Sequence, residues 1–242
     1  MMSIELMTAI QMRLSNLGWY AGRVDGREGD LTALAVTDFK RAAGLRARPK
    51  IGPITLTRLF ASNAPRRPAT VRKLSATPWL DEARRLLGVR EAEGARNNPA
   101  IMDWADALDM HYPGDDVPWC GLFMAHVMAV GAPLDAQNFN RLTARLWLTY
   151  GRPVEPQIGA VLVFWRVARD SWQGHVGLYM AEDDEAYHVL GGNQGDAVSV
   201  VRIAKDRLLG ARYPKSFAPT GKRRRADKNT GVFEPKLSIN EA

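Results

Sequence analysis

The chain has 242 residues, 46% hydrophobic and 24% charged, with a formal net charge of +7. These proportions suit one or two folded domains and exclude collagen, coiled coil and wholesale disorder. The basic balance favours an anionic partner such as nucleic acid, lipopolysaccharide or cell wall, and the one cysteine, Cys120, excludes an intramolecular disulfide and a multi-cysteine zinc cluster.

In chain order, Ile4, Met7, Ile10, Leu14 and Leu17 recur at helical spacing between Ser3, a candidate N-cap, and Gly18, a stop. A second helix is predicted from about Leu31 to Ala43, with Asp30 placed to cap it and Gly44 to end it. A third starts at Pro53 and carries Leu56, Leu59 and Phe60. Val24-Asp25-Gly26 marks a tight turn, so residues 1–61 read as a three-helix bundle. Residues 62–77, with Pro65, Pro68 and four basic side chains but no apolar period, read as a linker.

A second domain, residues 78–217, opens at Thr77-Pro78 with a helix burying Leu80, Ala83, Leu86 and Leu87. Further helices are predicted after Asn98-Pro99, after Cys120, and from Asn140 to Tyr150. The period then shortens, giving strands at Ala160–Val167, His175–Ala181, Ala186–Leu190 and Ala197–Ile203, with Glu182 to Glu185 as a hairpin connection. Helices followed by strands make this an α+β domain. Residues 218–242, including Lys222 to Arg225, read as a basic disordered tail that either contacts outer-membrane anions or stays solvated. The longest apolar stretch, Gly159 to Trp165, is shorter than a membrane span needs, and Met1 to Met12 lacks the pattern of an export signal.

Three residues stand out chemically. Pro118 forbids a helix before Cys120, and Phe123, Met124 and Val127 announce one after it, so the thiol is expected at a helix N-terminus. There free N–H groups favour a thiolate; the alternative is a small buried hydrophobe. His175 opens a strand and has a side chain suited to general base and acid work, with an unperturbed pKa near ~6.5. Asn193, in Leu190-Gly191-Gly192-Asn193-Gln194, follows the partner strand and is either the residue that orients the imidazole or a turn former. Glu91 is either a hydrogen-bonding group near this site or an exposed carboxylate. Asp103, Asp106 and Asp109 recur at helical spacing without a calcium-loop pattern and read as a solvated face. A zinc site of Cys120, His175 and His188 has suitable ligand types but no zinc-hydrolase motif. No nucleic-acid module is visible, because the positive charge is dispersed through linker and tail.

Val117-Pro118-Trp119-Cys120-Gly121-Leu122-Phe123, Gly159 to Phe164, Gly174-His175-Val176-Gly177 and Leu190 to Gln194 together resemble the CHAP branch of the NlpC/P60-like cysteine peptidases and amidases. The resemblance implies a papain-like fold with helices packed on an antiparallel sheet. It also implies hydrolysis of a peptidoglycan amide without metal or organic cofactor, with Cys120 as nucleophile, His175 as base and Asn193 as orienting residue. Many such domains carry a glutamate shortly before the asparagine, where this chain has Gly191 or Gly192. Leu14, Leu17, Gly18, Tyr20, Val24-Asp25-Gly26, Thr32 to Val36, Phe39, Gly44-Leu45 and Ile51-Gly52-Pro53 resemble the three-helix peptidoglycan-binding domain PG_binding_1. Arg48-Pro49-Lys50 replaces a second Asp-Gly of that pattern. Trp19, Tyr20 and Arg23 are candidate contacts for glycan or stem peptide, as is Trp119 beside the thiol.

The two resemblances together are similar to a phage endolysin, a monomer held in the host bacterial cytoplasm until a holin releases it to the wall. The bond cleaved, N-acetylmuramoyl-L-alanine or one within the stem peptide, stays open. A zinc-dependent amidase and a non-catalytic wall-binding or virion protein are the alternatives.

Overall fold

Two units make up the chain, Met1–Lys73 and Leu74–Ala242, and the computed structural model describes residues 2–20, 22, 24–67, 75–94, 96–226 and 238. In the first unit α1 (Ile4–Asn16) starts where the Ser3 hydroxyl accepts the Leu6 N–H at 3.2 Å and ends before Gly18, whose φ of 82° suits glycine. Gly29 occupies the N-cap of α2 (Asp30–Ala42), and Pro53 opens α3 (Pro53–Phe60). Asp30 is thus the first helical residue rather than the cap. Ile10, Leu14, Leu17, Val36, Phe39 and Leu59 form the shared core, whereas Ile4 and Phe60, which the spacing also places on the apolar stripes, are exposed.

One polar residue organises this core. Gln11, fully buried, donates through Nε2 to Asp25 Oδ1, the Arg27 carbonyl and Thr32 Oγ1, and its Oε1 accepts the Asp25 and Gly26 N–H groups. The Val24-Asp25-Gly26 turn is therefore clamped onto α1 from inside. Residues 62–67 belong to this unit and are no linker. Ala64 joins the core, the Arg67 N–H donates to the Leu17 carbonyl at 2.8 Å, and the Pro65 carbonyl accepts the Trp19 indole N–H at 2.8 Å. Buried polar groups on α1 and its C-terminal turn find partners there. Residues 68–74 of the expected linker lie outside the described residues.

In the second unit, α4 (Pro78–Arg85), α5 (Pro99–Ala107) and α6 (Cys120–Gly131) precede a six-stranded sheet. α6 buries ten of its twelve residues, so its apolar surface is continuous rather than a stripe. The strands are β1 (Arg152–Val154), β2 (Val161–Trp165), β3 (Gly174–Glu182), β4 (Ala186–Gly191), β5 (Ser199–Ala204) and β6 (Leu208–Tyr213). Their order is β1-β6-β2-β3-β4-β5 with every pair antiparallel. This is the mixed helix and antiparallel-sheet architecture that the sequence predicts, with β1 and β6 added. The segment Asn140–Tyr150 is helical only as a 3-10 turn at Ala144–Thr149, because Asn140 Oδ1 and its carbonyl close a separate turn on Leu142 and Thr143.

The start of the expected tail is ordered. Glu182 N–H donates to the Arg224 carbonyl and Ala226 N–H to the Glu182 carbonyl, each at 2.8 Å, while Arg223 grips the Glu182 carboxylate with both arms of its guanidinium. The basic side chains of Arg223 and Arg225 are thus paired with Glu182 and Asp184. Residues 227–237 and 239–242 lie outside the described residues.

Candidate active site

Cys120 is the first residue of α6. Pro118 has no N–H to donate and biases Val117 away from helix, and the approach is braced by Asp115, whose Oδ2 accepts the Ala92 and Asn98 N–H groups at 3.0 and 2.8 Å. The Tyr112 hydroxyl donates to the Val117 carbonyl. Trp119, at the N-cap, is held twice. Its backbone N–H donates to Asn193 Oδ1 at 3.2 Å and its indole N–H to Glu91 Oε1 at 2.6 Å. Asn193 Nδ2 donates to the same Glu91 oxygen at 2.8 Å.

Glu91 reaches this position because residues 88–91 pair with residues 196–198. The Gly88 and Glu91 N–H groups donate to the Val198 and Asp196 carbonyls, and the Val198 N–H donates to the Val89 carbonyl. Burial pushes the Glu91 carboxyl up, helped by Asp196, Asp115 and Asp116 and opposed by the Trp119 bond.

Cys120 is buried, and its sulfur lies against the N–H of Val176 in β3, with its own N–H and that of Gly121 also turned to it. Burial pushes the thiol up; those three N–H groups and the charge of Arg166 oppose it. The helix-terminus effect expected from the sequence is therefore present but outweighed by burial.

His175 is the second residue of β3, one position before Val176, and is 1% exposed. Its Nε2 meets Gln194 Oε1 at 3.0 Å. Gln194 Nε2 donates to the Ser199 carbonyl at 2.6 Å and the Val189 carbonyl at 3.3 Å, which fixes the amide orientation and leaves Oε1 as an acceptor. Nε2 is consequently placed to donate to that oxygen. The residue that orients the imidazole is Gln194, not Asn193. Asn193 adopts φ 56°, so its side chain faces Trp119 and Glu91 while the next residue faces the histidine. Gly191 makes the contact possible, since a Cβ there would stand 2.7 Å from Gln194 Oε1 and 3.2 Å from His175 Nε2.

The other candidates are placed differently. Trp119 has no exposed surface and packs on Trp104 at 6.0 Å, so it supports the thiol and cannot touch substrate. Tyr20 is buried in the first unit, and Trp19 spends its indole N–H on Pro65. Arg23 lies outside the described residues. His188 pairs with Ala181, six residues along β3 from His175 or roughly 20 Å at strand rise, and bonds Asp183 Oδ2 at 2.8 Å. That separation removes it from any site shared with Cys120, and among the described residues no group of three His, Cys, Asp or Glu is placed to hold a metal. No described helix is long and apolar enough to cross a membrane.

Gln194 carries one sequence signal, its place directly after the Gly-rich end of β4. Glu91 lies too far away in sequence to be linked to Asn193 by spacing.

No curated protein and no solved structure matches the chain. Residues 4–59, under a quarter of the chain, match the family model described as "Putative peptidoglycan binding domain". The three helices of the first unit therefore make up a peptidoglycan-binding domain, and peptidoglycan is the partner that the match supports.

Proposed function

We propose that the second unit is a papain-like cysteine hydrolase of the CHAP type and that the protein cleaves an amide bond of the peptidoglycan its first unit binds. The observation that carries this reading is the Cys120, His175, Gln194 arrangement: a thiol at a helix start, the N–H of the residue after the histidine against the sulfur, and an imidazole held through Nε2 by a locked amide. Orientation of a base by a third group is the arrangement that nucleophilic catalysis requires.

In this reading His175 Nδ1 takes the thiol proton as the sulfur attacks the scissile carbonyl carbon. The N–H groups of Cys120 and Gly121 stabilise the oxyanion. The C–N bond breaks, the proton passes from His175 to the departing amine, and a thioester remains. Water, deprotonated by His175, attacks that thioester, releasing the carboxylic acid and restoring the thiol. Because burial raises the thiol, proton removal by His175 accompanies attack rather than preceding it. Binding of the polymer by the first unit raises the local substrate concentration for the second.

The test is turbidity loss of purified sacculi with the parent, Cys120→Ala and Gln194→Ala, each with and without EDTA. Clearing by the parent that persists in EDTA and disappears in Cys120→Ala supports the cysteine hydrolase. Clearing that survives Cys120→Ala, or parent protein that pellets with sacculi without clearing them, overturns it in favour of a metal amidase or a binding protein. Released fragments distinguish amidase from endopeptidase.

A further inference from the structure

The loop between β2 and β3, residues 166–173, runs directly into Gly174-His175 and is built at a cost that folding does not explain. Val167 is held at φ 61°, a strained conformation for a β-branched residue, and is 80% exposed; Trp172 is also 80% exposed. The loop is nevertheless tied down by hydrogen bonds. The Arg145 guanidinium donates to the carbonyls of Gln173, Ala168 and Arg169 at 3.0, 3.3 and 2.9 Å, and the Gln173 N–H donates to Ser171 Oγ.

A strained valine and a bare indole thus stand on a braced loop that leads into His175. The ladder fixes one more side chain. Phe164 pairs with His175, and the pairing continues one step past the strand ends through the Arg166 N–H to the Gln173 carbonyl at 3.3 Å. Alternation then puts Arg166, two residues beyond Phe164, on the face of the hairpin that carries His175.

We infer that this loop is the substrate-recognition wall of the candidate site, in which Arg166 binds a carboxylate flanking the scissile amide and Trp172 carries the C–H face of an attached sugar ring. The inference rests on the hydrolase reading for its substrate. The electrostatic effect of Arg166 on the Cys120 thiol agrees with the same placement. Guanidinium is the side chain whose fork matches a carboxylate, and an indole face suits the apolar side of a ring.

Two measurements on the full chain test it. Alkylation reads Cys120 alone, since the chain has one cysteine. The ratio of iodoacetate to iodoacetamide rates is expected to fall about tenfold in Arg166→Gln and to stay near parent in Arg166→Lys, as a nearby positive charge requires. An unchanged ratio in Arg166→Gln, or no alkylation by either reagent, overturns the inference. Hydrolysis is then compared on muropeptides with a free carboxylate or a carboxamide beside the scissile bond, and on the same peptide with and without its glycan. Arg166→Gln is expected to raise KM about tenfold for the carboxylate substrate only, and Trp172→Ala to raise KM for the glycan-linked substrate only. Parent hydrolysis with neither preference changed overturns the inference and leaves the hydrolase standing. A charge-dependent alkylation ratio in a parent that hydrolyses nothing supports the Arg166 anion site and overturns the hydrolase.

Discussion

One oxygen of Glu91 accepts the indole N–H of Trp119 and the side-chain amide of Asn193, joining the residue before the thiol to the turn that carries Gln194. Glu91→Ala leaves both donors without that partner and is expected to destabilise the second unit by about 1–3 kcal/mol, measured by urea unfolding. Glu91→Gln keeps an acceptor. Because burial holds the Glu91 carboxyl above its ordinary value, the folded state favours the protonated form, a contribution complete below the unfolded pKa and lost as pH rises through the folded one. Glu91→Gln should therefore match the parent at acid pH and compare more favourably as pH rises toward neutrality.

Gln194 and Asn193 should separate by phenotype. Gln194→Ala removes the group that orients the imidazole and is expected to lower kcat about a hundredfold with KM little changed. Asn193→Gly suits the φ of 56° and keeps the turn, so its effect should fall on stability, through the lost Trp119 and Glu91 bonds, rather than on the pH profile of kcat.

Burial raises the Cys120 thiol, so alkylation by iodoacetamide should climb through the alkaline range, beyond the ordinary cysteine pKa of ~8.5. A plateau already reached at mildly acidic pH would show a preformed thiolate and contradict the proton-transfer order given above. Stability follows the same sign, being fully present below the unfolded thiol pKa and lost as pH rises through the folded one.

Asp183 closes the β3–β4 hairpin. Its Oδ1 accepts the Glu185 and Ala186 N–H groups, and hydrogen bonds from Arg202, then His188 and those amides, hold its carboxyl far below the usual carboxylate range against the opposing effect of burial. A lowered pKa contributes stability above the unfolded value of ~3.9 that is lost as pH falls below it. Asp183→Asn is expected to cost about 2 kcal/mol at neutral pH and to flatten the acid limb of a thermal-melting profile between pH 5 and pH 2.

Gln11→Leu in the first unit should cost about 2–4 kcal/mol, since it leaves the Asp25 and Gly26 N–H groups without their acceptor, and should weaken sacculus pelleting without altering the hydrolysis of soluble muropeptide proposed for the second unit.

Cys120 and His175 were legible because each stands at the start of an element that local signals announce, Pro118 for the helix and Gly174 for the strand. Gln194 was not, because two adjacent amide residues follow β4 and the choice between them depends on the sign of one backbone angle at Asn193. β6 was hidden for another reason. Its place between β1 and β2 depends on pairing with residues about fifty positions earlier. Lys222 to Arg225 looked like a solvated charge run because the carboxylates that pair Arg223 and Arg225, Glu182 and Asp184, are about forty residues away. The three helices of the first unit, with short-range stripes and glycine stops, were readable almost to the residue.

The turn after α3 sets where the wall-binding module can be cut. A fragment ending at Ala61 loses Ala64 from the core, the carbonyl that receives Trp19 and the amide that satisfies Leu17. One carried through Arg67 keeps all three. A transplantable anchor for fusion to other enzymes therefore runs from Met2 to Arg67, and its graft point is the proline that follows.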